Sequence, residues 1–317
     1  MFSKFPTNVR DERQLRSLTG ASLEQFNKLE EEFGKVYLEE RKRKYEEELR
    51  NGNRVRKMGC GRKSLLFNFT IQLFFILYYL KNYPTFDVLA SKFSISRSKA
   101  CMNVHKLLPI LQISLINLKY LPYRKFHSPK EFAESFKGIE IFIADATERP
   151  VQRPTNDEKQ AEVYSGKRKD HTIKNTIISD KNKVIYFLGN TFSGSLHDFN
   201  IFKTEFNPEL DWFNDINLYV DLGYTGINNI YINGNIMVPH KTPRKSKKNL
   251  NPELTPEQKR HNSNVGRIRV FVENAIAGLK RYKVLVHDFR NKIKGFDDSV
   301  IAVSAGLWNM MLGGVVR

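Results

Sequence analysis

Apolar positions recur at helical spacing in the first part of the chain. Ser22 and Gln25 have the spacing of a capping box, and the apolar positions that follow predict a helix from about Leu23 to Arg50. The apolar stretch 65–81 contains polar residues and is shorter than the roughly 20 residues that cross a bilayer, so it predicts a buried helix. Charged residues interrupt any apolar run near the first residue, and we therefore expect no secretory signal and no membrane segment.

Two short helices with a tight link follow Pro84. Residues 86–93 place apolar side chains at i, i+3, i+4 and i+7, and Ser96 is a suitable N-cap for a second helix. We expect this helix to end at Leu108 because Pro109 follows. The arrangement is the helix-turn-helix pattern, although a helical hairpin with a solvated basic face would have the same appearance. Outward side chains of the types that contact bases and phosphates are Arg97, Ser98, Lys99, Asn103 and Lys106.

The charge balance favours a nucleic-acid partner. The chain of 317 residues has 52 Lys+Arg and 34 Asp+Glu, a formal net charge of +18, and residues 51–137 alone hold 15 basic against 3 acidic side chains. An excess so concentrated attracts polyanions and indicates phosphate contact. Two cysteines without a CxxC pair exclude a disulfide framework and a structural zinc site. Serine hydrolase, nucleotide hydrolase and Rossmann functions lack support because the sequence has no GxSxG, P-loop or GxGxxG motif.

After Gly138 the pattern changes to short strands that alternate with helices. Strands are predicted near 139–144, 172–179, 184–191, 217–220 and 236–239, and helices near 198–206, 255–282 and 297–312. We interpret the last helix, which is apolar, as the cover of a core. This order of elements predicts a mixed α/β sheet flanked by helices.

Three carboxylates stand out by position in this second part. Asp145 and Asp221 each follow an apolar strand, where open α/β sheets place ligand groups. Glu273 lies on the long helix and shares one helix face with Arg269 and Lys280. If the three carboxylates converge, they would suit two Mg²⁺ ions, and Arg269 and Lys280 would hold DNA phosphates beside them. A plain i,i+4 ion pair between Arg269 and Glu273 is the alternative.

Five stretches of the chain carry a family resemblance. They are DATERPVQRP at 145–154, YSGKRK at 164–169, GSLHD at 194–198, DLGYTG at 221–226 and residues 269–280. In this order they resemble bacterial insertion-sequence transposases of the group related to the Harbinger transposons, which have a ribonuclease-H-like DDE catalytic domain. The resemblance implies that Asp145, Asp221 and Glu273 are the metal-binding, catalytic triad. Arg269, Glu273 and Lys280 would then form the family's arginine-glutamate-lysine signature.

The same resemblance implies three parts of the chain. They are an N-terminal helical arm at 1–63, a helix-turn-helix DNA-binding domain at 64–137 and a ribonuclease-H-like catalytic domain at 138–317. One departure concerns a tyrosine that related signatures place three residues before the arginine, where this sequence has Gly266. Phosphate contacts are expected from the loop 241–248 and from Lys167, Arg168 and Lys169.

The implied activity is metal-dependent cleavage of transposon ends, followed by transfer of the freed 3′-hydroxyl to target DNA. The cofactor would be two Mg²⁺ ions, for which Mn²⁺ would substitute. The partners would be double-stranded DNA, as terminal inverted repeats and as target, and a second copy of the chain in a dimer or larger assembly. We expect a cytoplasmic, nucleoid-associated protein, or a nuclear one in a eukaryotic host. Two alternatives stay open: a nuclease that cuts without joining, and a DNA-binding transposase remnant that does not cut.

Overall fold

The computed structural model describes the chain except for residues 1, 6–8, 54–56, 60–65, 215, 246–249, 251 and 317. Leu65, where the second predicted helix would begin, and two lysines of the basic loop, Lys247 and Lys248, therefore lie outside the described residues. The chain divides into two compact units. The first takes in Met1–Leu121, Arg281–His287 and Asn291–Val315, and the second takes in Pro122–Lys280, Asp288–Arg290 and Val316–Arg317.

The helices are numbered in chain order within the described residues. They are α1 (Glu12–Thr19), α2 (Leu23–Arg50), α3 (Phe69–Asn82), α4 (Phe86–Lys92), α5 (Arg97–Asn117), α6 (Pro129–Ser135), α7 (Asp157–Val163), α8 (Asp198–Glu205), α9 (Pro256–Leu279) and α10 (Phe296–Leu312). The strands are β1 (Ile141–Pro150), β2 (Tyr164–Ser165), β3 (Asp170–Ser179), β4 (Ile185–Leu188), β5 (Phe192–Ser193), β6 (Asn217–Tyr219) and β7 (Asn235–Met237). In the described part of the chain, no helix is both long and apolar enough to cross a membrane.

The first unit is helical, and its early helices follow the sequence pattern closely. The predicted helix from Leu23 to Arg50 is confirmed as α2, with both hydrogen bonds of the capping box between Ser22 and Gln25. The predicted buried helix is α3, which Asn68 caps by accepting a hydrogen bond from the Ile71 N–H. It is too short to span a membrane, and it lies in the protein core, since buried side chains occur all around the helix.

Helices α4 and α5 form the predicted helix-turn-helix. Thr85 caps α4 and Ser96 caps α5, each through its side-chain oxygen. The prediction that the second helix ends at Leu108 is wrong, because α5 continues through Pro109 for two further turns. Proline inside a helix costs about 3 kcal/mol. Burial of Leu111 and other apolar side chains beyond the proline offsets that cost, since α5 packs against α2 and α10 there.

The last helix covers the core of the first unit. α10 packs against α5, and Gly306 lets the two helices approach closely, since a Cβ there would lie 3.2 Å from a Leu115 methyl carbon. Asn309 is fully buried and donates a hydrogen bond to the Tyr120 carbonyl at 2.9 Å. α10 is therefore a core cover, as its apolar sequence predicts. The limits of the three predicted domains stay a prediction. In the division of the chain into two compact units, α10 belongs with the helices of the first unit.

The second unit is built on a mixed sheet. β1 lies between β3, to which it is antiparallel, and β6, to which it is parallel. β7 continues the sheet parallel to β6, and β2, β4 and β5 pair with β3. The helices α6 and α8 help to cover it through an aromatic cluster that includes Phe132 and Phe202. The mixed α/β sheet with flanking helices, together with the preceding helical region, confirms the predicted fold class.

The position of Asp145 in this sheet differs from the sequence prediction. The first strand does not end at Asp145, because residues 143–150 stay paired with β3 as far as Pro150. Only the pairing with β6 stops, at Ile143 opposite Tyr219. Asp145 therefore lies inside a long strand but just beyond the last residue of its parallel neighbour, so that one side of β1 is open at this point.

Candidate active site

Two of the three predicted carboxylates meet because of the parallel strand pair. Asp145 comes two residues after the last β1–β6 pair, and Asp221 comes two residues after the end of β6. Parallel strands end at the same edge of a sheet, so both side chains lie at the carboxyl edge of the same pair. The Asp145 carboxylate also accepts a hydrogen bond from the N–H of Ala146 at 2.8 Å.

The third carboxylate is supplied by α9. Thr255 and Gln258 form a capping box at its start, with Pro256 in the first helical turn, where its missing N–H costs nothing. The buried positions Val265, Val272 and Ala275 recur at helical spacing and form the inner face of α9, which packs against β1, β3 and β6. This packing places Arg269 and Glu273, one helical turn apart, at the carboxyl edge of β1 and β6.

One guanidinium group contacts all three carboxylates. Arg269 Nη1 lies 3.1 Å from Asp221 Oδ1, while Nη2 lies 3.7 Å from Asp145 Oδ2 and 3.6 Å from Glu273 Oε1. The Arg269 side chain is 15% exposed, against 20% for Asp145, 35% for Asp221 and 56% for Glu273. Arg269 therefore does more than form an i,i+4 ion pair with Glu273, because it also contacts Asp145 on β1 and Asp221 just after β6.

Burial is the largest influence on the charges of this cluster. Burial raises the pKa of Asp145 to about 6, and the nearby carboxylates of Asp221 and Asp198 add to that shift, although the Ala146 N–H and Arg269 oppose it. Burial also lowers the pKa of the Lys280 ammonium at the end of α9, with a further contribution from Arg168. The predicted signature residue Lys280 therefore lies within electrostatic range of the cluster, without a direct ion pair to Asp145.

A second ionic network adjoins the cluster, and the sequence gives little sign of it. Lys174 on β3 faces Glu148 on β1 and lies 3.1 Å from its carboxylate and 3.0 Å from that of Asp198. Its ammonium also donates to the Leu196 carbonyl at 2.8 Å. Burial alone would lower the pKa of Lys174, but the Asp198 and Glu148 carboxylates outweigh it and raise that pKa. The sequence of β3, DHTIKNTIIS, contains several polar residues besides Lys174, so the sequence alone does not mark this lysine.

The structure gives individual residues of two recognised stretches, GSLHD and DLGYTG, identifiable surroundings. A Cβ at Gly194 would overlap the backbone carbonyl of Thr172, so only glycine fits where the GSLHD stretch crosses β3. His197 caps α8 by accepting a hydrogen bond from the Phe199 N–H, which agrees with a structural role for that histidine. Tyr224 of DLGYTG is fully buried, and its hydroxyl has no hydrogen-bond partner within the described residues.

The basic side chains expected to grip phosphates lie on the surface of the second unit. Lys167, Arg168 and Lys169 are all exposed in the turn between β2 and β3. Arg168 already forms an ion pair, since its Nε lies 3.4 Å from the Glu148 carboxylate. In the loop 241–248, the described residues Lys241, Arg244 and Lys245 are exposed.

The five predicted DNA-contacting residues of α5 differ in how freely they face solvent. Ser98 and Lys99 are exposed, and Arg97 forms a solvent-exposed ion pair with Asp87 at 3.4 Å. The Asn103 amide donates to the Lys99 carbonyl at 2.7 Å, and the Lys106 ammonium donates to the Tyr37 hydroxyl at 2.8 Å. Sequence reasoning missed Met102, which is 68% exposed on the same face.

The donor set of the cluster fits a hard divalent cation. Carboxylate oxygens are the ligands that Mg²⁺ prefers, and a cationic group already lies within 4 Å of an oxygen from each of the three acids. As the side chains stand, however, no three acidic, histidine or cysteine residues of the described chain are close enough to hold a metal ion. The Arg269 guanidinium reaches the three acids through two different nitrogens and occupies the place between them.

The mixed sheet and the acidic cluster agree with the predicted DDE-type fold, and comparison with known proteins shows the family. The chain belongs to the DDE superfamily endonucleases, whose family model matches residues 144–309, while a model for the helix-turn-helix of that superfamily matches residues 66–115. A probable transposase for insertion sequence element IS702 from Microchaete diplosiphon is 30% identical over 228 residues, which cover 71% of this chain and 74% of that protein. No solved structure matches. The resemblance to an insertion-element DDE transposase is confirmed, and the two matched domains imply DNA binding.

Proposed function

We propose that this protein is a transposase that cleaves the ends of its element and transfers the freed 3′-hydroxyl to target DNA. The observation that carries the proposal is the convergence of Asp145 on β1, Asp221 just after β6 and Glu273 on α9 around one guanidinium group. Three carboxylates at one place repel one another, and bound metal cations would offset that repulsion.

Asp145, Asp221 and Glu273 would hold two Mg²⁺ ions, for which Mn²⁺ would substitute. When bound, these ions would lower the pKa of an attacking water and stabilise charge on the phosphodiester. The three carboxylates would hold the ions at the carboxyl edge of β1 and β6. Lys280 would balance charge on the phosphates, and Lys167, Arg168 and Lys169 would hold the backbone further along the DNA.

The helix-turn-helix would recognise the terminal inverted repeats. Ser98 and Lys99 face solvent on α5 and would reach base edges and phosphates, with Arg97, Asn103 and Lys106 at the margins of the same face. Two ends must be held together during transfer, so we propose a dimer or larger assembly on DNA. The site of action would be the nucleoid in the cytoplasm, or the nucleus of a eukaryotic host.

The central experiment tests cleavage and joining separately. Purified full-length protein is incubated with Mg²⁺, an end-labelled duplex carrying the element's terminus and a target plasmid. We expect the Asp145→Asn and Glu273→Gln proteins to bind the duplex but to lose cutting and joining by several orders of magnitude. The Glu257→Gln protein is the matched control, since this exposed acid lies on the same helix far from the cluster.

Each outcome of this experiment selects one function. Cutting and joining that both depend on Asp145 support the transposase, whereas cutting without joined product identifies a nuclease. Binding without any cutting by the wild-type protein identifies a DNA-binding remnant. Unchanged nicking by Asp145→Asn would remove that residue from the reaction altogether.

A further inference from the structure

Arg269 is held by the acidic cluster and by little else. Its guanidinium lies between Asp145, Asp221 and Glu273, and its Nε is buried without a hydrogen-bond partner in the described part of the chain. Two of its three carboxylate contacts exceed 3.5 Å, which is longer than a well-formed charge-assisted hydrogen bond. Arg269 thus contributes positive charge to the cluster through loose contacts that other cations could replace.

A divalent cation bound by the same carboxylate oxygens would compete with this guanidinium. The guanidinium and a divalent cation at this spacing would repel each other, because both are positively charged. Arg269 also occupies the place between the acids, so a cation and the guanidinium cannot share it. The side chain is long and flexible, and positions 266 and 273, which lie on the same face of α9 about one turn before and after it, are exposed, so the guanidinium can move outward along that face.

We propose that Arg269 is the resident counter-cation of the metal-free active site and that metal binding displaces it outward, where its planar fork becomes available to a DNA phosphate. The inference rests on the proposed metal-binding role of the three acids. It assigns Arg269 two successive partners, carboxylates before metal binding and phosphate afterwards. The guanidinium therefore keeps metal affinity low until DNA offers it another anion.

A purely structural role makes the opposite prediction. If Arg269 only fastens α9 to the sheet, its loss would disorder Glu273 and weaken metal binding. If Arg269 competes with metal, its loss would strengthen metal binding, although the metal-free protein would become less stable because three acids then repel one another.

The test measures Mn²⁺ binding to the full-length protein without DNA, by isothermal titration calorimetry and by the electron paramagnetic resonance signal of free Mn²⁺. We expect Arg269→Gln to bind Mn²⁺ about tenfold more tightly than wild type, and to melt at a lower temperature in EDTA. The difference in melting temperature should shrink or reverse at saturating Mn²⁺. Arg267→Gln, which removes an exposed arginine from the same helix, should match wild type.

A second variant covers the case in which Arg269→Gln does not fold. Arg269→Lys keeps the charge, but its compact ammonium lacks the fork that reaches three carboxylates, so we expect Mn²⁺ affinity several-fold above wild type. Equal or weaker Mn²⁺ binding by the folded Arg269 variants, relative to wild type, overturns the inference.

Asp145→Asn separates this failure from failure of the proposed function. If Asp145→Asn loses Mn²⁺ binding while the folded Arg269 variants match wild type, the metal site stands and only the displacement of Arg269 is wrong. If neither wild type nor the Arg269 variants bind Mn²⁺, the metal site and the inference both fail.

Discussion

Glu148 and Lys174 face each other across β1 and β3, with their charged atoms 3.1 Å apart and both side chains less than a tenth exposed. The Lys174 ammonium also contacts Asp198, so one lysine balances two acids next to the Asp145 cluster. A buried pair of this kind adds little net stability compared with an apolar pair, but loss of Lys174 would leave the Asp198 carboxylate without this partner and Glu148 with the exposed Arg168 as its cation. The network therefore makes the edge of the candidate active site sensitive to Lys174.

We expect Lys174→Met to lower the free energy of unfolding by about 3–5 kcal/mol, the range for breaking a buried ion pair. The measurement is urea denaturation followed by circular dichroism. Lys181→Met removes an exposed lysine from the following turn and should change the same quantity by less than about 0.5 kcal/mol. Equal effects of the two substitutions would show that the Lys174 network does not contribute in this way.

Replacement of Gly266 by alanine should stabilise the protein. It lies exposed in the middle of α9, and a Cβ there would meet no atom within 4 Å. Gly266→Ala should raise the free energy of unfolding by about 0.5–1 kcal/mol, because alanine loses less backbone entropy in a helix. Gly194→Ala is the contrasting control and should destabilise, since its Cβ would overlap the Thr172 carbonyl. A stability loss in Gly266→Ala would point to an unseen constraint on this helix.

Asp180, which lies outside the candidate active site, should make the stability of the protein depend on pH. It is 5% exposed in the turn after β3, and burial raises its pKa despite hydrogen bonds from the Val184 N–H and the Asn182 amide. A raised folded-state pKa means that Asp180 favours folding at pH values below its unfolded pKa, and that this contribution is lost as the pH rises through the folded pKa.

We therefore expect Asp180→Asn to be more stable than wild type at pH 7, with the difference shrinking towards pH 3. Thermal melts across this pH range measure the effect. Asp157→Asn, at an exposed helix start, controls for the loss of one negative charge. An advantage of Asp180→Asn that is largest at low pH would contradict the sign of the argument.

Two lysines of α5 should differ in their contribution to DNA binding. Lys99 is exposed, whereas the Lys106 ammonium is bonded to the Tyr37 hydroxyl and lies 4.7 Å from the centre of its ring. Lys99→Ala should weaken duplex binding across sequences and reduce the salt slope of the binding constant by about 1. Lys106→Ala should cost less, as measured by fluorescence anisotropy between 50 and 200 mM salt. A larger loss for Lys106→Ala would mean that DNA draws its ammonium away from Tyr37.

The sequence predicted the elements whose patterns are local. The capping box of α2 is a short-range hydrogen-bond pattern, and Ser22 and Gln25 could be recognised without any tertiary contact. The continuation of α5 past Pro109 could not, because it depends on burial against distant helices. Likewise, β1 extends beyond Asp145 because of its pairing with β3, which periodicity alone does not reveal.

The sequence could predict which acids belong to the candidate site, but not how their side chains are arranged. Asp145 and Asp221 follow apolar runs, which marks them in the sequence, and Glu273 was recognised through its motif. That Arg269 would lie among all three acids depends on how α9 docks on the sheet. Lys174 escaped prediction because its two acidic partners are far away in the chain.

The packing of α10 against α5 has a consequence for synthesis on the ribosome. The apolar surface of α5 is made before the strands β1–β7, but the segment that shields it, 296–312, is made after them. The helix-turn-helix must therefore keep one apolar flank uncovered until α10 has been synthesised. A frameshift just before α10 would thus damage a helical unit that is encoded far upstream.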